Sequence, residues 1–345
     1  MSRSHDDRHA WIRGLPKAEL HLHLEGSLEP SMLFELAARN QVALPYRSIE
    51  EVRAAYRFQR LDDFLAIYYR GMSVLRTRQD FYDLTLAYMQ RARQDGVRHA
   101  EVFFDPQAHV RRGVGLGIVI GGIAAGLAEA GASLGMTSRL IMSFLRDLSE
   151  SDALETLHRA EPYLEYLTAV GLDSSELEHP PRKFQRVFAE ARARGLRLVA
   201  HAGEEGPAGY VREALDLLHV DRIDHGNRAL EDPALVERLR ASQITLTVCP
   251  LSNLKLGGIS DLRNHPLRSM LELGLSATVN SDDPAYFGGY VHENFTAVAD
   301  NLQLSDEQIV SLARNSFSGS FLDKGSVAQH LQNIDRHCAQ TVPHQ

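Results

Sequence analysis

His21 and His23 are the residues of this chain that point most directly to chemistry, since a single leucine separates them in the apolar run AELHLH. Alternate side chains of a β-strand share a face, so the two imidazoles would point the same way, about 6.6 Å apart along the backbone. Neutral imidazole nitrogens are frequent ligands of Zn²⁺, although a single buried histidine is more often structural. The pair therefore predicts half of a metal site.

Three other apolar runs end close to ionisable side chains. One run has His201 near its end and Glu204 shortly after it, another ends on His225, and a third is followed by Asp282 and Asp283. A buried ionisable group needs a partner, and a shared metal ion would be one. If these runs are parallel strands of one barrel, the groups meet at its mouth, because catalytic residues of such barrels cluster at the carboxyl ends of the strands.

We predict a single Zn²⁺ bound by His21, His23, His201 and Asp282. Three nitrogens and one carboxylate oxygen suit this ion, with a further position open to water. Zinc lowers the pKa of bound water from about 16 to near 7, which makes hydroxide available at neutral pH. Many barrel hydrolases hold two metals bridged by a modified lysine on the fourth strand. The fourth apolar run of this chain ends without a lysine, which favours one metal.

Three ionisable residues remain beside these ligands. His225 is placed to take a proton from water or to orient the hydroxide, and Glu204 can donate a proton to a ring nitrogen during the attack. Asp283, next to a ligand, can form a hydrogen bond with the substrate. The alternative for all three is that they only hold the metal ligands in position.

The elements that would position these groups are eight short apolar runs, most of them followed by an amphipathic stretch of helical period. Alternating units of this kind predict an α/β protein, a (β/α)₈ TIM barrel of parallel strands. The absence of a glycine-rich dinucleotide fingerprint after the first run argues against an open sheet. The predicted strands are residues 18–23, 97–104, 138–145, 167–172, 197–202, 222–225, 244–249 and 276–281.

The domain organisation follows from the connections between these runs. Residues 24–96 are too long for a simple strand-to-helix link, and we expect a helical insertion over the barrel mouth, either a lid or only a decoration of the barrel. We predict a flexible N-terminal arm over residues 1–10, a single metal-dependent hydrolase domain over 11–325, and a C-terminal helix or tail over 326–345.

Composition narrows the function classes. The 345 residues carry a formal charge of −8, which disfavours a nucleic-acid partner because such proteins usually present a basic face. Two cysteines, Cys249 and Cys338, exclude a disulfide framework and suit a reducing cytoplasm. The apolar stretch 113–136 is interrupted and rich in Gly and Ala, so we expect a buried helix and no membrane partner. A homo-oligomer is left open.

Six motifs occur in a fixed order from about residue 11 to residue 321: PKAELHLHLEG, GLDSSE, HAGEEG, RIDHG, CPLSN and SDDP. Together they closely resemble the adenosine deaminase family of the amidohydrolase superfamily. The resemblance implies that the four residues proposed above bind zinc. It also implies that Glu204 protonates purine N1, that His225 assists the attacking water, that Asp283 binds N7, and that the backbone N–H of Gly171 contacts N3.

The resemblance also bears on the substrate. The adenosine branch usually has HLDG after the metal pair, whereas this chain has HLEG, and the longer Glu25 would crowd the space for ribose. SDDPAYFGGY and GLDSSELEHPP look like the microbial and fungal adenine deaminases. The implied reaction is zinc-dependent hydrolysis of the free purine base adenine to hypoxanthine and ammonia, a step of purine salvage.

Other substrates and classes stay open at the level of the sequence. N6-substituted adenines such as isopentenyladenine would need more room, for which Leu61, Phe64 and Tyr68 of the insertion are candidate lining residues. Adenosine is a further alternative. From other classes, a binuclear amide or phosphoester hydrolase and a non-catalytic purine-binding barrel remain.

Overall fold

The computed structural model describes residues 4–58 and 60–340. Eight parallel strands are hydrogen-bonded in chain order, which confirms the predicted (β/α)₈ barrel. The strands are β1 Lys17–His23, β2 Val97–Phe104, β3 Thr137–Leu145, β4 Ala169–Asp173, β5 Arg197–Ala202, β6 Arg222–His225, β7 Leu246–Val248 and β8 Ala277–Val279. Strands β7 and β8 are shorter than predicted, because the apolar runs continue beyond the residues that pair.

The barrel is closed by the backbone next to the metal-ligand candidates. The N–H of Asp282 donates to the carbonyl oxygen of His21 at 3.1 Å, and the N–H of His23 donates to the carbonyl oxygen of Asp282 at 3.0 Å. These two bonds form the seam between the segment after β8 and the end of β1. The last strand is thus tied to the first.

The helices surround this barrel and account for the amphipathic stretches. They are α1 His5–Gly14, α2 Pro30–Arg39, α3 Ile49–Ala55, α4 Leu61–Gly71, α5 Arg78–Gln94, α6 Pro106–Val110, α7 Leu116–Leu134, α8 Glu150–Ala160, α9 Gln185–Ala193, α10 Ala208–Asp216, α11 Pro233–Ser242, α12 Pro250–Lys255, α13 Leu267–Glu272, α14 Pro284–Phe287, α15 Val291–Asn301, α16 Asp306–Ser318 and α17 Lys324–Gln340. Short 3₁₀ turns occupy Leu24–Ser27, Met72–Val74, Glu161–Tyr166, Pro181–Phe184, Asn227–Glu231 and Leu262–Asn264.

The barrel interior is packed with side chains below the mouth. A small apolar cluster combines Phe103, Ile141, Ala169 and Val199, one residue from each of β2 to β5. The Phe103 ring lies almost parallel to the His23 imidazole, with the ring centroids 5.2 Å apart. Because side chains fill the barrel interior, a small molecule would bind at the mouth of the barrel, where the strands end.

The chain termini differ in part from expectation. Where a flexible arm is predicted for residues 1–10, the structure has a helix, since α1 begins at His5. The Ser4 side chain accepts a hydrogen bond from the N–H of Asp7, which is a helix N-cap, and Arg8 donates to Asp306 at 2.9 Å. Residues 1–3 lie outside the described part. At the other end, α17 extends to Gln340, and residues 341–345 also lie outside it.

The apolar helix α7 has the length and composition of a membrane span, as core helices of soluble proteins also do. It packs along α5, where two of its glycines allow close contact. A Cβ on Gly122 would lie 2.5 Å from the carbonyl oxygen of Arg78, and one on Gly126 would lie 2.7 Å from Thr85 Cβ. Gly122 and Gly126 are therefore explained by the close packing of α7 on α5.

Candidate active site

The four predicted metal ligands meet at the mouth of the barrel. His21 and His23 lie on β1, His201 lies near the end of β5, and Asp282 follows β8. Their ligand atoms all lie within 4.8 Å of one another. The Nε2 atoms of His23 and His201 are 3.2 Å apart. Asp282 Oδ1 is 3.3 Å from His21 Nε2 and 3.5 Å from His23 Nε2.

These separations suit four ligand atoms that share one ion. Zn–N bonds of about 2.0–2.1 Å place neighbouring ligand atoms about 3.3 Å apart. His21 Nε2 is buried and has no hydrogen-bond partner among the described residues. Burial lowers the pKa of His23 to about 4 and holds the pKa of His201 well below its usual range, so both rings are neutral, the form that binds metal. The cluster could therefore hold a divalent metal ion.

A buried hydrogen-bond chain fixes the orientation of His21. The Thr247 hydroxyl donates to Asp224 Oδ1 at 2.9 Å, so its oxygen is left to accept from His21 Nδ1 at 3.0 Å. With a proton on Nδ1, the imidazole directs Nε2 toward the other ligand atoms of the cluster. Sequence reasoning missed both supporting residues, although Asp224 immediately precedes His225 in the RIDHG motif.

The three predicted proton-transfer and substrate residues border the same cavity. His225 Nε2 lies 3.4 Å from Glu204 Oε2 and 3.9 Å from Asp282 Oδ2. Burial lowers the pKa of His225 to about 3, so its imidazole is a neutral base at pH 7. Burial, reinforced by the nearby charge of Asp282, raises the pKa of Glu204 and of Asp283 well above the usual range. The site thus combines a neutral base with protonated carboxyl groups.

The backbone next to these groups is tightly constrained. His225 and Asp282 have left-handed backbone, with φ of 63° and 64°, a conformation that costs a non-glycine residue about 1–2 kcal/mol. A Cβ on Gly26 would lie only 1.9 Å from Asp283 Oδ1. The glycine that follows Glu25 is therefore required for Asp283 to lie where it does.

The cavity itself has one polar and one apolar wall. Strand ends supply the polar groups, and α4 of the insertion supplies Leu61, Phe64 and Tyr68, joined by Phe287 after β8. This places the insertion over the mouth and brings all three candidate lining residues to the cavity. An apolar wall facing a few fixed polar groups suits a flat heteroaromatic ligand.

Comparison with known proteins agrees with this geometry. The sequence profile of the family described as adenosine deaminase matches residues 16–337. The chain belongs to the adenosine deaminase family. An adenine deaminase of Sphingopyxis alaskensis is 64% identical over 334 residues, covering 97% of this chain and 98% of the relative. The chain therefore falls in the adenine deaminase branch of this family of hydrolases.

Two solved structures of the family are also similar. The adenine deaminase from Arthrobacter aurescens superposes with a TM-score of 0.93 at 50% identity, covering 94% of this chain and 99% of that one. An amidohydrolase from Burkholderia ambifaria, described with bound Zn, superposes with a TM-score of 0.89 at 26% identity, covering 99% and 96%. The barrel and its insertion therefore follow the architecture of this deaminase family.

Glu176, in the GLDSSE motif of this deaminase, is a residue that sequence reasoning missed. Its carboxylate accepts four backbone N–H groups in the HAGEEG loop. Oε1 accepts from Gly203 at 2.7 Å, and Oε2 accepts from Glu204, Glu205 and Gly206 at 3.0, 2.9 and 2.8 Å. The loop that carries Glu204 is therefore held by one buried anion, which makes Glu176 a positioning residue.

Glu25 has a different place from the one expected. Its carboxylate does not line the cavity. Oε1 accepts from His109 Nε2 at 2.6 Å and from the N–H of Asp105 at 3.2 Å, and His109 Nδ1 accepts from Arg112 at 2.6 Å. The residue that reaches the cavity wall here is Asp105. Any effect of Glu25 on the substrate is therefore indirect, through the position of Asp105.

Gly171 is the predicted site residue that the structure does not bring to the cavity. It lies inside β4, where a Cβ would meet Ser143 Oγ at 2.7 Å. Asp173 and Ser174 line the cavity instead, and Ser174 accepts a hydrogen bond from the Tyr69 hydroxyl at 3.1 Å. Gly171 lies two residues before the end of β4, below the point where the chain reaches the mouth, and its contact with purine N3 stays a prediction.

Proposed function

We propose that this protein hydrolyses adenine to hypoxanthine and ammonia with one Zn²⁺ bound by His21, His23, His201 and Asp282. The observation that carries the proposal is the convergence of these four ligand atoms beside a neutral imidazole and a protonated carboxyl group in one cavity. The names of the relatives at 64% and 50% identity support adenine as the substrate. The similar amidohydrolase described with bound Zn supports zinc as the ion.

When bound, zinc would supply an activated water at neutral pH by lowering its pKa to near 7. The other steps belong to the protein. His225 takes one proton from the attacking water, and Glu204 gives its proton to N1 as oxygen adds to C6. The His225 proton then leaves with the amino group as ammonia, and the proton on the new hydroxyl returns to Glu204. Atoms and charges balance for adenine plus water giving hypoxanthine plus ammonia.

Asp283 would hold the base while this happens. Because its pKa is raised, the carboxyl carries a proton that it can donate to N7, which has no hydrogen in the common tautomer of adenine. Protonating N1 and binding N7 both draw electrons from C6, so these interactions strengthen as negative charge develops on the ring. The low cysteine content of the chain, two cysteines in 345 residues, suits this reaction in a reducing cytoplasm, as a step of purine salvage.

A substrate panel tests the proposal. Metal-replete protein is assayed with adenine, adenosine and isopentenyladenine, and we expect adenine to have the highest kcat/KM. Adenosine or isopentenyladenine reacting fastest would overturn the free-base assignment, and two essential metals at the mouth would favour a binuclear hydrolase.

The acid role of Glu204 has its own test. Glu204→Gln should keep the metal, measured by elemental analysis, and lose most turnover. The control variant Glu178→Gln, at an exposed position, should keep both. Near-normal activity of Glu204→Gln would contradict the role of Glu204, because glutamine has no proton to transfer.

A further inference from the structure

We propose that His5, His9 and Asp300 form a second metal site, for a divalent transition ion such as Zn²⁺, Ni²⁺ or Cu²⁺, where α1 packs against α15. The residues are separate from the cavity lining and from the ligand cluster at the barrel mouth. This inference is independent of the proposed function.

The spacing of the two histidines brings their rings to one face of α1. Residues four positions apart are neighbours on a helix, and the centroids of the His5 and His9 rings are 4.1 Å apart. The third group comes from α15, whose Asp300 Oδ2 lies 3.2 Å from His5 Nε2 and 2.9 Å from His9 Nε2. All three ligand atoms lie within 4.8 Å of one another. Two nitrogens and an oxygen at these distances suit one ion of the zinc type.

Ion pairing alone gives a weaker account of this arrangement. A carboxylate has two oxygens with about four acceptor positions, yet both imidazoles approach the same oxygen of Asp300. If both rings were protonated, two like charges would face each other at short range and repel. A shared cation removes that repulsion, because it binds the neutral rings.

The exposure of the groups also suits an ion that exchanges with solvent. The side chains of His9 and Asp300 are 28% and 35% exposed, and that of His5 is 67% exposed. Water can therefore reach the ion and complete its coordination. A bound ion would link α1 to α15, and because it binds only the folded arrangement, it would raise the melting temperature.

The site can be tested on the untagged protein with its first metal already bound. Ni²⁺ or Zn²⁺ is added, and binding is followed by calorimetry and by elemental analysis after dialysis. We expect a second equivalent to bind and the melting temperature to rise. In the double variant H5A/H9A and in Asp300→Asn, the second equivalent and the rise should both be lost, while the first metal and the deaminase activity are retained.

A matched control removes another surface histidine that pairs with a carboxylate. His158 Nε2 lies 3.0 Å from Glu190 Oε2, and among the described residues this pair belongs to no group of three potential metal ligands. His158→Gln should bind the second equivalent as the unchanged protein does. Two results would overturn the proposal: no second equivalent in the unchanged protein at millimolar metal, or a second equivalent that persists in both site variants. Asp300→Asn keeps the test decisive if the double variant folds poorly.

Discussion

Replacing Glu176 by glutamine tests whether one buried carboxylate holds the catalytic loop. The substitution keeps the size of the side chain and removes one acceptor oxygen and the charge. If the amide oxygen takes the place of Oε2 and keeps its three N–H partners, the amide NH₂ faces the N–H of Gly203, donor against donor. Losing one charge-assisted hydrogen bond costs about 1.5–3 kcal/mol.

That energy acts on the conformation of the loop that carries Glu204. A bias of about 1.5–3 kcal/mol lowers the equilibrium constant between the productive arrangement and the others roughly 10- to 150-fold, since 1.36 kcal/mol is a factor of ten. We therefore expect kcat of Glu176→Gln to fall measurably, by at most that factor. Zinc content should stay unchanged, because the ligand atoms do not contact Glu176. Glu176→Ala, which removes all four bonds, should lose more activity and lower the melting temperature.

Steady-state kinetics with adenine test the positioning role of Glu176. The metal content is measured on the same samples. Glu178→Gln, an exposed change two residues away, is the control and should behave as the unchanged protein. Unchanged kcat in Glu176→Gln would refute the positioning role. A loss of activity that parallels a loss of metal would also refute it, since the effect would then pass through His201.

Three further outcomes are expected. The pKa of Glu204 is higher in the folded than in the unfolded chain, so its contribution to stability is full below the unfolded value of about 4.5 and falls as pH rises. Metal-free Glu204→Gln should therefore melt at a higher temperature than the unchanged protein, by more at pH 9 than at pH 6. An equal difference in melting temperature at both pH values would contradict this. Gly26→Ala should cost about 1–3 kcal/mol of stability and most activity, because its Cβ overlaps Asp283, as thermal melts and kinetics would test. Glu25→Asp should release Asp105 and raise the ratio of adenosine to adenine turnover, and an unchanged ratio would argue against the indirect role of Glu25.

The metal-ligand candidates could be predicted from sequence because they are ionisable residues at the ends of apolar strands. Histidine and aspartate are costly at the ends of apolar strands, so their presence at several such ends points to a shared partner. The strand positions followed from the same apolar runs. Whether those residues bind zinc and perform the chemistry stays a proposal for His21, His23, His201, Asp282, Glu204, His225 and Asp283.

The supporting residues could not be predicted in the same way. Glu176 and Thr247 act through hydrogen bonds to groups that are distant in sequence, and neither leaves a local pattern. Glu25 could be recognised from sequence, because it stands where the adenosine branch usually has an aspartate. Its contact with His109, however, depends on how the segment after β1 meets α6 in the fold. The helix α1 was not predicted for a related reason, since its contact between Arg8 and Asp306 exists only once the barrel has formed.

The seam between β1 and the segment after β8 has a consequence for how the protein is made. Its partners, His21, His23 and Asp282, are about 260 positions apart in the chain. During translation, the first two have left the ribosome long before the third is synthesised, so neither the closed ring nor the fourth ligand exists until synthesis is nearly finished. If the proposed ligand set binds a metal, a nascent chain carries an incomplete site, and metal capture would follow the late closure of the ring.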